Sequence, residues 1–430
     1  MFKLKSILFY IFKVFVRSGY IKTSGYVIYL ACRIVNPKNT FKLLCLTKPI
    51  FNDDLNEIVS IRPNLITYIY FPRLWLSEFI KIHYKNFHLL NDASYYPLLD
   101  GTEEQYAIKR DIEVLFNVLR KLLKFDAVFS GNFVYVSQQE FFKVSMEKNM
   151  PVIVLYKEGM IPIGKYDYVG STLYKTKQFH GTQLFVYNDM IRKMLVDANI
   201  FGINANNTVP VGVPRLDKYL RNNQSQVIDP LTIGLFFFDS SFKADFLVND
   251  KALHKRFIER GTDFISCFVK LALKRRDIDL VIKTKNNKQT IRELTKIINA
   301  ITSDKLPSNI KVTSVEDPYS IIGRCRYVAG YTSTTLLEGM LLDKVILCPD
   351  FSDILNSNES DYFGQYPYVV NYISDYYQLE QIFENSPIIN MPDESTKKEI
   401  LEKYLYSLDG ASAKRVYKGI LNCVNESKNS

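Results

Sequence analysis

A chain of 430 residues, 47% apolar and 23% charged, is too long for one ordinary hydrophobic core and too apolar to be disordered, so two globular domains are expected. Its net charge of +10 is not spread as on a nucleic-acid-binding surface. Residues 1–50 hold Lys3, Lys5, Lys13, Arg17, Lys22, Arg33, Lys38, Lys42 and Lys48 with no acidic residue, and the other 380 residues are close to neutral.

The first segment contains "ILFYIFKVFV", about ten apolar residues broken by Lys13. A bilayer span takes about twenty, and the small-residue cleavage site of a signal peptide is missing. Two readings stay open: an amphipathic segment on an anionic membrane surface, or a first helix packed into a domain with its lysines solvated. The first is carried forward as an expectation of peripheral contact with the cytoplasmic face of the membrane through residues 1–50. Each basic residue near the lipid adds about 1 kcal/mol to such binding.

Further on, "NLITYIYFP" reads as a strand and "YAIKRDIEVLFNVLRKLLKF" as an amphipathic helix. The strand "MPVIVLYKEGM" opens into a loop, "TQLFVYND" is a strand and "MIRKMLVDANI" a helix. "TVPVGVPRLDKYL" is a strand, a turn and a helix start. "RNNQSQVIDP" has no apolar rhythm and reads as a linker. The alternation then restarts with the strand "LTIGLFFFD", a helix over 251–275, and the strand "IDLVIKTK". After the helix "TIRELTKIINAI" come the strand "NIKVTS", the short helix "PYSIIGRC", and a strand-loop-helix-strand unit, "VAGYTSTTLLEGMLLDKVILCPDF". Residues 395–425 read as one long amphipathic helix, and only the tail "NESKNS" suggests disorder. Strands alternating with helices in both halves mean two doubly wound domains with largely parallel sheets. The expected boundaries are 1–50 (basic segment, part of the first domain), 51–225, 226–390, and 391–430 (a crossover helix and tail).

Several chemistries are excluded. There is no GxGxxG, Walker loop or GxSxG elbow. The six cysteines (Cys32, Cys45, Cys267, Cys325, Cys348, Cys423) lie far apart without a CxxC or a Cys/His cluster, which reads as reduced core thiols. With four histidines (His83, His88, His180, His254), no metal site is expected, nor any cofactor.

In the second half, four segments end strands of one sheet and suit a phosphate-bearing ligand. They supply Asp239, Ser240, Ser241 and Lys243; Lys283 and Lys285; Glu316 and Asp317; and the hydroxyl loop Ser333, Thr334 and Thr335 at a helix start. Lysines, hydroxyls and helix-start N–H groups are what a diphosphate needs. A plain capping box, Thr335-x-x-Glu338, explains the last loop equally well. In the first half, Glu158 stands at a strand end and His180 beside a glycine. Either a carboxylate or an imidazole there suits proton abstraction. Otherwise Glu158 is a loop carboxylate paired with Lys157 or Lys165, and His180 a turn histidine. Arg215 and Asp217 either pair locally or face a cleft.

The segments "VPVGVPRLDKYL", "VIKTK" and "EDPYSIIGRCRYVAGYTSTTLLEGMLLDKVILCPDF" resemble GT-B glycosyltransferases of bacterial capsule and surface-polysaccharide assembly, close in style to the CDP-glycerol glycerophosphotransferase-like group. The resemblance covers roughly residues 150–360. It implies an α/β GT-B fold: two Rossmann-like domains facing a cleft, with the C-terminal helix crossing back. It also implies a nucleotide donor held by the second domain and an acceptor and base offered by the first. Lys283, Lys285, Asp317, Ser333, Thr334, Thr335 and Glu338 would bind the donor, with Glu338 on its ribose, and Glu158 or His180 would be catalytic. Asp239, Ser240 and Arg215 would line the cleft. The partners expected are a nucleotide-sugar donor, a lipid-linked or polysaccharide acceptor and an anionic membrane, with no nucleic acid. "FHGTQL" matches only the "HGT" of polyol-phosphate transferases, and "VIKTK" stands where sialyl- and Kdo-transferase relatives show His-Pro. A glycerol- or ribitol-phosphate transferase using His180, a nucleotide-sugar epimerase, and a non-catalytic membrane-associated scaffold remain alternatives.

Overall fold

The computed structural model describes residues 2–36, 39–47, 49–61, 65–92, 94–221, 229–240, 247, 250–302, 305–355, 361–384 and 389–429. They divide into two units. The first comprises Met1–Met160, Tyr166–Leu220 and Lys403–Ser430, and the second Ile161–Lys165 and Arg221–Glu402. The chain thus leaves the first unit, builds the second, and returns. Residues 161–165 and 391–402, expected elsewhere, go with the second unit. Lys165 is drawn there by the buried carboxylate of Asp361, whose field opposes the burial that lowers the lysine to about 8. Of the expected linker 221–230, residues 222–228 lie outside the described residues, as do Ser241 and Lys243, while Asp229 and Pro230 begin a strand instead.

The first unit holds a seven-stranded sheet in the order β1-β3-β2-β4-β5-β6-β7. The strands are β1 Arg33–Val35, β2 Phe41–Leu46, β3 Ile66–Phe71, β4 Ala127–Ser130, β5 Val152–Tyr156, β6 Gln183–Val186 and β7 Thr208–Pro210. Among the described residues only β1 is antiparallel to its neighbour. Parallel strands covered on both faces need apolar residues throughout, and β5, VIVLY, is buried at every position. Strand β2 was hidden in the sequence by the basic character of residues 1–50, yet it lies inside the sheet between β3 and β4. The covering helix Glu103–Leu123 starts where Thr102 Oγ1 accepts the Gln105 N–H and stops at Lys124, which is left-handed. Its buried positions Ile108, Ile112, Leu115, Leu119 and Leu123 recur at helical spacing.

The helices Phe2–Arg17 and Ile21–Ala31 turn back on each other through Gly19, whose φ is 76°. One face of this pair packs into the domain. Phe12 is fully buried, its ring 5.0 Å from that of Trp75 and 5.8 Å from that of Phe79. A Cβ on Gly25 would lie 2.7 Å from Val118 Cγ1, so glycine is what lets the second helix close on Glu103–Leu123. The other face stays open. Leu4, Ile7, Tyr10 and Val14 are exposed at helical spacing, with Tyr26, Tyr29 and Leu30 exposed on the second helix. Lys5, Arg17 and Lys22 are exposed beside them. Among the described residues no helix is long and apolar enough to cross a membrane.

The second unit holds six parallel strands in the order β10-β9-β8-β11-β12-β13. They are β8 Asp229–Phe236, β9 Asp279–Lys283, β10 Ile310–Thr313, β11 Cys325–Ala329, β12 Val345–Pro349 and β13 Asn371–Ile373. The helix Lys251–Lys274 begins where the Asp250 side chain accepts N–H groups from Ala252 and Leu253. It buries Phe257, Phe264 and Phe268 in the core.

The expected single helix over 395–425 is two helices, Glu394–Leu405 and Ser412–Asn429. The break carries Tyr406 at φ 74° and Gly410 at φ 64°; Asp409-Gly410 is a turn dipeptide in plain sight. The second helix continues through most of the "NESKNS" tail. Its start is held by Asp217, a buried carboxylate that accepts the Ser412 N–H (3.1 Å) and the Ala413 N–H (2.8 Å).

Candidate functional site

In an open parallel sheet, ligands sit beyond the carboxyl ends of the strands where the strand order reverses. In the second unit the order reverses between β8 and β11. Asp239 and Ser240 follow β8, and the hydroxyl loop 331–335 follows β11. Lys283 ends β9, beside Phe236 of β8, so these candidates leave three adjacent strands within about 10 Å of sheet width.

The hydroxyl loop is built from below. Tyr331 is buried, with its ring 5.5 Å from Phe238 and 4.8 Å from Phe351. Thr332 then adopts φ 43°, an uncommon conformation for a β-branched residue that costs on the order of 1–3 kcal/mol. The turn delivers Ser333 to the start of the helix Thr334–Leu341. There its Oγ accepts the Thr335 N–H (3.4 Å) and lies 2.7 Å from Thr335 Oγ1. The capping box expected from Thr335 and Glu338 is not what forms. Ser333 is the cap, and Thr335 and Glu338 are buried inside the helix. The Thr334 hydroxyl donates to Glu338 (3.4 Å).

The lysines of this edge differ from each other. Lys283 Nζ donates to the carbonyls of Thr284 (2.8 Å) and Ser314 (3.1 Å). Burial lowers its pKa, opposed by Asp317 and Glu316, so it is anchored within the protein. Lys285 is exposed, two residues before Asn287, whose side chain caps the helix Lys288–Ile301. Asp317 is exposed beside Pro318 and makes no side-chain cap bond. Glu316 is held low by Arg324 and Lys311. A recess of about 380 Å³ lined by Thr232, Asp279, Asn309 and Lys311 lies at the opposite, amino-terminal edge.

In the first unit the order reverses between β2 and β4. Around that point, at the carboxyl edge, lies a set of polar residues of which the sequence reading named only Lys157 and Glu158. Arg73 follows β3, Tyr135 follows β4, and Lys157 and Glu158 follow β5. The Arg73 guanidinium stands 4.1 Å from the Tyr135 ring centre, and its Nη1 donates to Ser137 Oγ (2.7 Å). The Tyr135 hydroxyl donates to Glu158 Oε1 (3.2 Å), which lies 3.5 Å from Lys157 Nζ. Glu158 is therefore paired with Lys157, while about half of its side chain stays exposed. Lys177, on the connection between β5 and β6, is also buried, and burial pushes it down to about 8 against the field of Asp92. Asp92 accepts the Val136 N–H (3.1 Å). Arg73 had one visible signal, its place directly after "IYFP"; Lys177 had none.

His180 does not join Glu158. It lies two residues before Thr182, whose N–H reaches the carbonyl of Val152 at the first residue of β5, while Glu158 lies beyond the last. Burial, with Lys143 nearby, lowers its imidazole to about 4. It is neutral at pH 7, with Nε2 3.0 Å from Gln178 Oε1. Arg215 pairs locally. Its backbone N–H donates to Asp54 (3.0 Å) and its Nη1 to the Tyr187 hydroxyl (2.9 Å), which donates to Asp54 (2.7 Å). Asp54 is buried, and the triad ties Arg215 to the frame of the first unit.

No family model matches the sequence, and no curated protein matches it. Among solved structures the chain is similar to a putative UDP-N-acetylglucosamine 2-epimerase from Listeria monocytogenes (12% identity, covering 90% of this chain and 97% of that one, TM-score 0.52). It is also similar to the S. aureus MnaA-UDP co-structure (11% identity, 90% and 97% covered, TM-score 0.50). A trehalose 6-phosphate synthase from Burkholderia multivorans matches at 10% identity, with 91% and 98% covered and a TM-score of 0.46. The fold is that of the GT-B class, two Rossmann-like parallel-sheet domains.

Proposed function

We propose that this chain is a GT-B glycosyltransferase that moves a sugar from a nucleotide-activated donor to a lipid-linked or surface-polysaccharide acceptor. The observation that carries the reading is the loop 331–335. A strained Thr332 aims Ser333 and the first N–H groups of a helix beyond the carboxyl end of β11, at the reversal of strand order. Those N–H groups and hydroxyls would hold the donor phosphates, and Lys285 would face them from β9. The UDP of the S. aureus co-structure supports a nucleotide on this fold. Glu338, with Thr334 on its carboxylate, is assigned to the ribose. Asp239, Ser240 and Asp317 border the donor, while Lys283 acts through the loop carbonyls it bonds.

In the reaction an acceptor hydroxyl attacks the sugar's anomeric carbon. The C–O bond to the phosphate breaks, the nucleotide leaves with the electron pair, and Glu158 takes the hydroxyl proton. Helix N–H groups and fixed cations stabilise the charge gathering on the leaving phosphate. His180, with its lowered pKa and its place at the other strand ends, is a poor base, which weighs against the polyol-phosphate alternative. The open face of the first two helices joins Leu4, Ile7, Tyr10, Tyr26 and Leu30 to Lys5, Arg17 and Lys22. That suits an anionic bilayer surface and would keep the enzyme beside a lipid-linked acceptor.

The test is Glu158→Gln beside His180→Ala. The proposal predicts that the first lowers turnover by about 100-fold or more with donor binding retained, and that the second leaves turnover nearly unchanged. Full activity in Glu158→Gln overturns the base assignment. Acceptor-independent epimerisation of the donor sugar overturns the transferase reading itself.

A further inference from the structure

The first unit buries three cations at one edge of its sheet. Arg73 is 6% exposed, Lys157 9% and Lys177 8%. Cations are rarely buried without a counterion, because desolvation costs more than dispersed dipoles return. Two carboxylates near them lie toward solvent: Asp92 is exposed, and Glu158 is half-exposed. Two of the cations also have unused donors. Arg73 Nε is buried with no hydrogen-bond partner. Among the described residues, the Lys177 ammonium makes no hydrogen bond or ion pair and has only the field of Asp92.

Arg73 and Lys157 converge, and Lys177 shares the field of Asp92 with Arg73. Arg73 stacks on the ring of Tyr135, and the hydroxyl of that ring reaches Glu158 beside Lys157. Asp92, which acts on both Arg73 and Lys177, bonds the next backbone N–H, that of Val136. Arg73, Tyr135 and Lys157 leave the carboxyl ends of β3, β4 and β5, around the reversal of strand order, where a parallel sheet holds its ligand, and Lys177 lies on the connection from β5 to β6 within the field of Asp92. A guanidinium fork with two ammonium groups matches a tetrahedral, multiply charged oxyanion better than a carboxylate, which offers two oxygens.

We propose that Arg73, Lys157 and Lys177 form a binding site for a phosphoryl group, separate from the nucleotide loop of the second unit and beside Glu158. The ligand is a phosphate or diphosphate ester, with the group entering past Glu158 toward Arg73 and Lys177. The site does not rest on the donor assignment. Nucleotide binding can fail in the second unit while this site stands, and the reverse.

The experiment is hydrogen exchange on the full chain with inorganic pyrophosphate as the probe. The expected result is protection of amides in 132–137 and 156–160. Arg73→Gln and Lys177→Gln should each raise the pyrophosphate concentration needed by about tenfold, Arg73→Lys by less, and Ser333→Ala not at all. Melting curves of each variant separate lost binding from lost folding, and Arg73→Lys keeps the test readable should Arg73→Gln unfold. Protection confined to 330–336, or protection indifferent to Arg73 and Lys177, overturns the proposal. A short prenyl phosphate and a hexose 1-phosphate then distinguish a lipid headgroup from a free sugar phosphate as the source. If neither protects these peptides, the phosphoryl-ester assignment is wrong.

Discussion

The two sheets have the same architecture and opposite chemistry at their carboxyl edges. In the second unit, the strands beside the reversal of order end in backbone N–H groups and small hydroxyls, and the lysine of β9 is anchored on carbonyls. In the first unit the corresponding edge carries buried cations around an aromatic ring and a half-exposed carboxylate. A doubly wound sheet fixes where a ligand sits; the loop residues decide what it is.

The comparison can be broken or sharpened by substitution. The largest effect is expected at Asp54, which holds Arg215 and Tyr187 together and belongs to the frame of the first unit. Asp54→Ala removes the buried carboxylate that holds the part-buried Arg215 and the Tyr187 hydroxyl, and should lose about 3 kcal/mol in a urea melt. Nucleotide affinity should not change; a change would mean that the triad reaches the ligand.

Next is a pH effect within the second unit. Burial raises Asp361 to about 6 although Phe363 N–H and the Tyr372 hydroxyl bond it. Its folded pKa is above the unfolded value, so the native state binds the extra proton between about pH 4 and 6. That contribution is present below about pH 4 and is lost as pH rises through 6, a change on the order of 3 kcal/mol. In Asp361→Asn, the melting temperature should lose this part of its pH dependence.

At the open helical face of the first unit, Lys5→Gln with Lys22→Gln should weaken binding to anionic vesicles by about 2 kcal/mol, roughly thirtyfold. Neutral vesicles should bind neither protein well. Equal binding to both vesicle types removes the membrane from the account. The smallest effect is at Thr332. Thr332→Gly should relieve strain and stabilise the free protein by about 1 kcal/mol, while nucleotide binding weakens because the loop is no longer held.

The fold was legible because its signals are local and redundant: apolar runs for parallel strands, helical spacing between them, and a turn dipeptide at Asp409-Gly410. What escaped was whatever the chain brings together from afar. Strand β2 was concealed by neighbouring lysines. The role of Asp217 depends on a helix almost two hundred residues away. Ser333, not Thr335, caps its helix, because the left-handed turn at Thr332 fixes where the helix begins, and no residue type announced that turn. Arg73 and Lys177 look like ordinary surface cations in the sequence. Only the fold shows that they are buried, and only the fold separates His180 from Glu158 by the length of a strand.

The central claim is that the loop after β11 holds a nucleotide phosphate. Melting curves of the wild type and Ser333→Ala with CMP, CDP, UDP, GDP and ADP test it most directly. A ligand at a hundred times its dissociation constant adds about 2.7 kcal/mol to stability. The account predicts that one nucleotide raises the wild-type melt and raises that of Ser333→Ala by much less. If no nucleotide moves either melt, or if both move equally, Ser333 is only a helix cap and the donor site lies elsewhere or does not exist.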